Sequence, residues 1–342
     1  MTNYTVGVDL GGTNLRVAAV DEQGHLLEKI ALGTQVSQGR AHVLHDMCES
    51  IQQLTQKYTP SFKLLGIGIG VPGIVDMETG MLRAAVNLPG WENAPVRAEI
   101  EQRLHTPVVL GNDARVATLG EKWLGAGRSV NDLAMLTLGT GVGGGLVLNG
   151  NIWHGMRGMA GEFGHLTVEP EGHPCGCGNC GCLEQYASAT AVVRMAREAI
   201  ASGGAPGLAR AADSDAEFSS KAIYNLALQD DEEARRIFRR VGRALGIVLS
   251  SLVNGLNLPM YVIGGGAADA WDAFAPSIFE ELRARSIVYT ATAPTLPGGG
   301  DGALGQASKL GRETIIARAL LGSDAGLYGA ARLPMIQDRN IS

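Results

Sequence analysis

The sequence predicts an α/β fold of two lobes built on one repeated unit, and three observations carry this. Apolar strand patterns alternate with helical ones along 342 residues, a length that can fill two cores. A strand, a Gly/Thr turn and a second strand occur twice, at GVDLGGTNLRVAAVD (7–21) and LAMLTLGTGVGGGLVLNG (133–150). A further strand pattern, PMYVIGGGAA (259–268), again runs into glycines.

In chain order, the alternation from Tyr4 to Asp9 gives a strand, GGTN a tight turn, and LRVAAVD the returning strand. Val43, Met47, Ile51 and Leu54 share one face of a helix over 39–57, and LLGIGIGV (64–71) reads as a buried strand. A looped region with NLPGW leads to a helix over 94–105, the strand PVVLGND (107–113) and a helix from Ala114 to Leu124. After the second strand pair, 151–186 is loop-rich, and helices resume over 187–202, 214–229 and 231–254. The strand at 259–268 precedes a helix from Ala270, and ATAPTLPGGGDGALGQ (291–306) has the composition of an exposed loop.

Composition narrows the function. A formal charge of −6 without a long Lys/Arg run argues against nucleic acid, whose phosphates select a basic face. The amino terminus lacks a signal-peptide pattern, and no segment approaches the roughly 18 unbroken apolar residues of a membrane span, so the expected setting is cytoplasmic. A reducing compartment disfavours structural disulfides, and a Cys175–Cys177 bridge would close a strained ring.

The glycine turns suit anions. In DLGGTN, Gly11 and Gly12 let backbone N–H groups approach a phosphate, Thr13 adds a hydroxyl, and Asp9 ends the strand before them. Gly139, Thr140 and Gly141 repeat these ingredients, and Gly264, Gly265 and Gly266 form a third cluster. Neither of the two Gly/Thr loops is a GxxxxGKS loop, and neither continues on the schedule of a dinucleotide fold. Asp113 stands where a strand meets a helix, a position that could aim a carboxylate at a cleft but that, on the residues alone, reads first as a helix N-cap, which Asp favours. CGCGNCGCLEQ (175–185) gathers Cys175, Cys177, Cys180 and Cys182. A Cys177–Cys180 redox pair lacks a thioredoxin-like unit around it, which favours a metal. Zinc takes four S/N ligands, and either His173 or His165 is available beside the thiols.

Together GVDLGGTNLRVAAVD, GVPG (70–73), GNDA (111–114), LGTGVGGG, AGEFGH (160–165), CGCGNCGCLE, VIGGGAA and LLGSDAGLYGAA (320–331) resemble the ROK family of sugar kinases and repressors, within the sugar-kinase/actin-like ATPase superfamily. The resemblance implies a two-lobed actin-like ATPase (ribonuclease H-like) fold with a duplicated mixed sheet and an interlobe cleft. It implies a small lobe of 1–113 with 322–342 and a large lobe of 114–321 that carries a zinc loop at 165–182. The implied activity is ATP-dependent phosphorylation of the 6-hydroxyl of a hexose, glucose first, with N-acetylmannosamine, N-acetylglucosamine, fructose or allose as alternatives.

By the same resemblance Asp113 is the catalytic base, and Asn87, Asn112, Asp113, Glu162, His165 and Glu184 contact the sugar. ATP and Mg²⁺ fall to Asp9, Gly11, Gly12, Thr13, Gly139, Thr140, Gly141 and Gly264–Gly266, and structural Zn²⁺ to His165, Cys175, Cys177 and Cys182, which leaves Cys180 aside. Arg115 departs from the small or amide residue expected after NDA, and is expected to point away from the sugar. Assembly as a homodimer or homotetramer is implied. Repressors of the family carry a helix-turn-helix module ahead of this core; a first strand beginning near Tyr4 is expected to leave no room for one, which favours the kinase.

Overall fold

In the structure, a computed structural model, residues 2–85, 88–214, 218–294 and 312–337 are described. The opening strands are β1 (Thr2–Leu10) and β2 (Asn14–Asp21), paired antiparallel so that Asp9 faces Arg16. On the far side of β2 lies β3 (Leu26–Gly33). Helix α1 (Arg40–Tyr58) follows and buries Val43, Met47, Ile51 and Leu54, the stripe that its apolar spacing marks. The next strand, β4 (Phe62–Val71), joins β1 in parallel with Asp9 opposite Gly70. A hairpin of β5 (Ile74–Asp76) and β6 (Met81–Ala84) and helix α2 (Val96–Leu104) lead to β7 (Val108–Asn112), which pairs β4 in parallel with Asn112 opposite Val71. The sheet order is β3-β2-β1-β4-β7. Its register brings Asp9 and Asn112, 103 positions apart in the sequence, to one end of the sheet, the carboxyl ends of parallel strands where α/β folds place ligands.

Helix α3 (Asp113–Trp123) leads to the second set: β8 (Leu133–Leu138), β9 (Val142–Leu148) and β10 (Asn151–Ile152). A loop-rich stretch and the single turn α4 (Glu184–Ala187) precede α5 (Ala189–Ala201), α6 (Pro206–Ser214), α7 (Ser220–Leu228) and the long α8 (Glu232–Leu256). Then come β11 (Met260–Gly264), α9 (Trp271–Arg285), α10 (Ile287–Thr292), β12 (Ile315–Arg318) and α11 (Ala325–Gln337). The second sheet has the order β10-β9-β8-β11-β12, which repeats the first position by position. Of the expected loop at 291–306, residues 291 and 292 close helix α10, and 295–306 lie outside the described residues.

Two compact units result. Residues up to Asn131, Gly145–Gly161 and the chain from Leu320 form one; Asp132–Gly144 and Glu162–Ala319 form the other. The expected division at Asp113/Ala114 differs from this one because α3 stays with the first sheet. It packs on α11, where a Cβ at Gly329 would collide with the carbonyl oxygen of Val116. A Cβ at Gly68 of β4 would likewise collide with Ala330 O, so α11 lies in backbone contact with both neighbours.

A fully buried carboxylate fixes the approach to α11. Glu121, on α3, accepts hydrogen bonds from Ala126 N (2.8 Å), Leu320 N (3.1 Å) and Leu321 N (2.7 Å). A buried acid is tolerated because these donors replace its water. Among the described residues, no helix is long and apolar enough to cross a membrane. Glu121→Ala removes the acceptor of one buried and two part-buried N–H groups and is expected to lower the unfolding free energy by about 3 kcal/mol; urea titration checks this, and a loss under about 1 kcal/mol would show the clamp to be dispensable.

Candidate functional site

In the first unit the β1–β2 turn closes through Gly11 N→Asn14 O (2.8 Å), and the Thr34 hydroxyl donates to Gly11 O (2.7 Å). Gly12 and Thr13 are exposed on this turn. Asp9, just before it, accepts from Arg16 Nη1 at 3.1 Å. Burial pushes its carboxyl above the ordinary value; the Arg16 cation pulls it back, while nearby Asp324 adds to the rise. Gly326 makes room for this carboxylate, since a Cβ there would stand 2.8 Å from Asp9 Oδ1. Neither Gly326 nor Asp324 was legible in the sequence as part of this setting, because both reach Asp9 from the other end of the chain.

At the end of β7, the cap of α3 is Asn112: its side chain accepts from Arg115 N at 3.2 Å. The same amide donates to Gly73 O and to Asp113 Oδ1, both at 3.0 Å. Asp113 is therefore the first helical residue and not the cap. Its Oδ1 also accepts from Ala114 N at 2.8 Å, so two donors set the aim of the carboxylate. Asn87, an expected sugar contact, lies outside the described residues.

In the second unit, Gly139 N donates to Gly141 O (2.9 Å), and α5 braces the turn from below. Ala189 N donates to Gly139 O and the Thr190 hydroxyl to Thr140 O, each at 2.8 Å. Glu184 opens α4 and accepts from Val142 N at 3.0 Å. Gly141 is needed beside it, because a Cβ there would collide with Glu184 Oε2. Parallel pairing sets Gly264 opposite Thr137, which brings Gly264–Gly266 to the same end of the sheet as Gly139–Gly141. Next to Thr140 opens a groove of about 690 Å³ lined by Thr190, Val193, Arg194, Arg197, Ser219 and Ser220 among others. These lining residues were not foreseen, since a helix face bordering a groove carries no motif.

The thiols and imidazole converge. His165, Cys175, Cys177 and Cys182 place one ligand atom each within 4.8 Å of one another, with Cys175 Sγ 3.7 Å from His165 Nδ1 and Cys177 Sγ 3.6 Å from Cys182 Sγ. Zn–S bonds of about 2.3 Å give a tetrahedron with edges of about 3.8 Å, so this set fits zinc. His173 is turned elsewhere, with Nδ1 on Pro174 O. Burial pushes the Cys182 thiol up to about 12, while the backbone N–H of Asn179 lowers Cys177. The two segments are also joined by backbone, through Val168 N→Gly181 O (2.8 Å) and Leu183 N→Leu166 O (2.9 Å). Glu162 is exposed and lies three residues before His165, ahead of the turn Phe163–His165.

The chain matches the ROK family over residues 5–334. A glucokinase of Halalkalibacterium halodurans is 36% identical to it over 340 residues, covering 99% of this chain and 97% of that protein. A xylose repressor of Caldicellulosiruptor bescii is 31% identical over 83% of this chain and 71% of the repressor. Among solved structures, a ROK family glucokinase from Streptomyces griseus in complex with glucose and AMPPNP is similar with a TM-score of 0.75 at 32% identity, covering 97% of this chain and 99% of that one.

The four-residue cluster leaves Cys180 outside it. Metal analysis of purified protein is therefore expected to find one ion per chain in Cys180→Ser and a loss of it in Cys177→Ser, because a serine hydroxyl does not replace a thiolate on zinc at neutral pH. The reverse pattern would overturn this ligand set.

Proposed function

Because the chain belongs to the ROK family, we propose that it transfers the γ-phosphoryl group of Mg²⁺-bound ATP to the 6-hydroxyl of a hexose, with glucose as the preferred acceptor. One observation carries the mechanistic part: the capping duty on α3 falls to Asn112, and Asp113 beside it has its Oδ1 held by two donors. A carboxylate aimed in this way suits a general base. In the reaction the sugar oxygen forms a bond to the γ-phosphorus, its proton passes to Asp113, and the bond to the bridging oxygen breaks so that ADP leaves with the electron pair.

The remaining assignments follow from the chemistry of each side chain. Asn112 and Asp113 in the first unit, and Glu162, His165 and Glu184 in the second, are hexose contacts together with Asn87. Acceptors of this kind discriminate sugars because a missing or misplaced hydroxyl leaves one of them unpaired. Gly11, Gly12 and Thr13, and Gly139, Thr140 and Gly141, offer backbone N–H groups and hydroxyls to the phosphates. Gly264–Gly266 and the groove beside Thr140 accept the nucleoside, and Asp9 orients the magnesium ion through water.

Zinc, when bound by His165, Cys175, Cys177 and Cys182, has a structural task. An imidazole that gives Nδ1 to the metal keeps Nε2 for a sugar hydroxyl, which reconciles the two duties of His165. The thiol segment runs on directly into Glu184, so the same staple steadies that carboxylate. Assembly as a homodimer or homotetramer in the cytoplasm and a place at the entry of hexose into glycolysis belong to this reading and rest on the resemblance to the family.

The similarity to a xylose repressor supports a second reading, a sugar-responsive regulator. Sugar-dependent ADP release separates the two. Across glucose, N-acetylmannosamine, N-acetylglucosamine, fructose and allose, glucose is expected to give the highest kcat/KM; a tenfold preference for an N-acetylated sugar would move the substrate and keep the kinase. Asp113→Asn is expected to retain its fold and sugar affinity while turnover falls by at least about 100-fold. Turnover within a few-fold of the parent would remove Asp113 as the base.

A further inference from the structure

Arg115 is the residue that the family resemblance does not explain, and its surroundings are unusual for a cation. It sits in the first turn of α3, where the helix dipole opposes positive charge, and it is only 5% exposed. Burying a guanidinium costs free energy unless acceptors replace its water. Here Nε donates to Ala160 O at 2.8 Å, and Nη1 donates to Gly158 O. Both acceptors belong to the segment 153–161, which has little regular structure of its own. Gly155, Arg157, Gly158 and Gly161 all have positive φ, with Arg157 at 56°, and the segment is bonded to itself through Met159 N→Met156 O (3.3 Å) and Ala160 N→His154 O (3.0 Å). A backbone with so many left-handed residues and so few internal bonds takes its shape from outside.

The segment and the site meet at both ends of Arg115. Its own backbone N–H is the one that Asn112 Oδ1 caps, one residue from Asp113. At the other end, Ala160 stands two residues before Glu162. Arg115 and His154 border one small cavity, where partial desolvation and the Arg115 charge keep the His154 ring toward the neutral form.

We propose that Arg115 is a positioning residue of the sugar site: by tying the carbonyl groups of Gly158 and Ala160 to the start of α3, it holds the segment from which the chain runs on into Glu162. This rests on the functional reading above, in which Glu162, Asn112 and Asp113 contact the hexose. It predicts an effect on the acceptor and none on the nucleotide, whose groups lie on the Gly/Thr turns.

The test uses the full chain and two variants. Arg115→Met keeps the length and removes the donors; Arg115→Lys keeps the charge with a single ammonium that cannot reproduce the fork. Arg115→Met is expected to raise the glucose KM about tenfold, with kcat within about threefold and the ATP KM within about twofold, and Arg115→Lys to fall between it and the parent. A second readout needs no activity: Arg157 is exposed within the segment, so tryptic cleavage after it, mapped by mass spectrometry, is expected to quicken about tenfold in Arg115→Met while other sites are cut at the parent's rate. A glucose KM within twofold of the parent overturns the proposal, whether or not cleavage quickens. So does a parallel loss of sugar and ATP affinity, which would mark a general structural role. If Arg115→Met does not fold, Arg115→Lys must raise the glucose KM at least about threefold with the ATP KM unmoved, or the proposal falls. A parent protein that turns over none of the five sugars overturns the functional reading itself, an outcome separate from any difference between parent and variants.

Discussion

The first unit depends on how closely α11 lies on β1, β4 and α3. Helix axes normally stand off by the thickness of their side chains; here glycines at 68 and 329 remove that thickness, and the backbones touch. The carboxylate of Glu121 then pins the segment leading into α11 by its own N–H groups. Two things follow for the chemistry. Asp9 keeps its place because Gly326, at the start of α11, leaves space for its oxygens. Helix α3 keeps its place because it shares the same packing, and with it go the cap, Asp113 and Arg115.

The second unit solves a similar problem by other means. Its Gly/Thr turn is braced from α5 by Ala189 and Thr190, whereas the turn of the first unit is braced from the end of β3 by Thr34. The strand orders correspond, yet the supports do not. Glu184 adds a link of its own: one carboxylate oxygen accepts from Val142 N, so an acid that the proposed function gives to the hexose is anchored on the turn it gives to phosphate. On the proposed assignments, donor and acceptor sides of the reaction are in this way built on shared backbone.

Much of this was legible in the sequence, and the limits have physical causes. Strands β1, β2, β4, β7, β8, β9 and β11 were readable because each is apolar over several residues and is punctuated by glycine. Strand β3 was not: none of its residues is fully buried, the half-buried Leu27 and Ile30 fall on opposite faces, and Leu26 and Leu32 are exposed, so no clean alternation is left to see. Strand β12 is four residues at a sheet edge, and α11 carries Pro334, which breaks the helical pattern. In the site, the residues alone pointed to a cap at Asp113 and the resemblance to a catalytic base, because capping and catalysis favour the same position; the side-chain bonds of Asn112 take the capping duty from Asp113 and leave its catalytic role as a proposal. The cluster of His165 with three thiols was expected from the resemblance, whereas spacing alone left His173 as an equal candidate. Arg115 was visible only as an oddity. Its partners are carbonyl groups more than forty residues away, and backbone acceptors leave no mark in a sequence.

The order of the chain also bears on how the protein is made. The sheet that a ribosome releases first is completed by a helix released more than two hundred residues later, while the second unit is for the most part continuous in sequence. During synthesis the nascent first sheet waits with a glycine-floored face bare to water, and contacts between β1 and α11 close a loop of about three hundred residues. Such distant pairings form slowly and leave apolar surface open to association. The tight seat of α11 thus gives the finished protein its rigidity at the cost of a growing chain that depends on its last helix to cover its first strands.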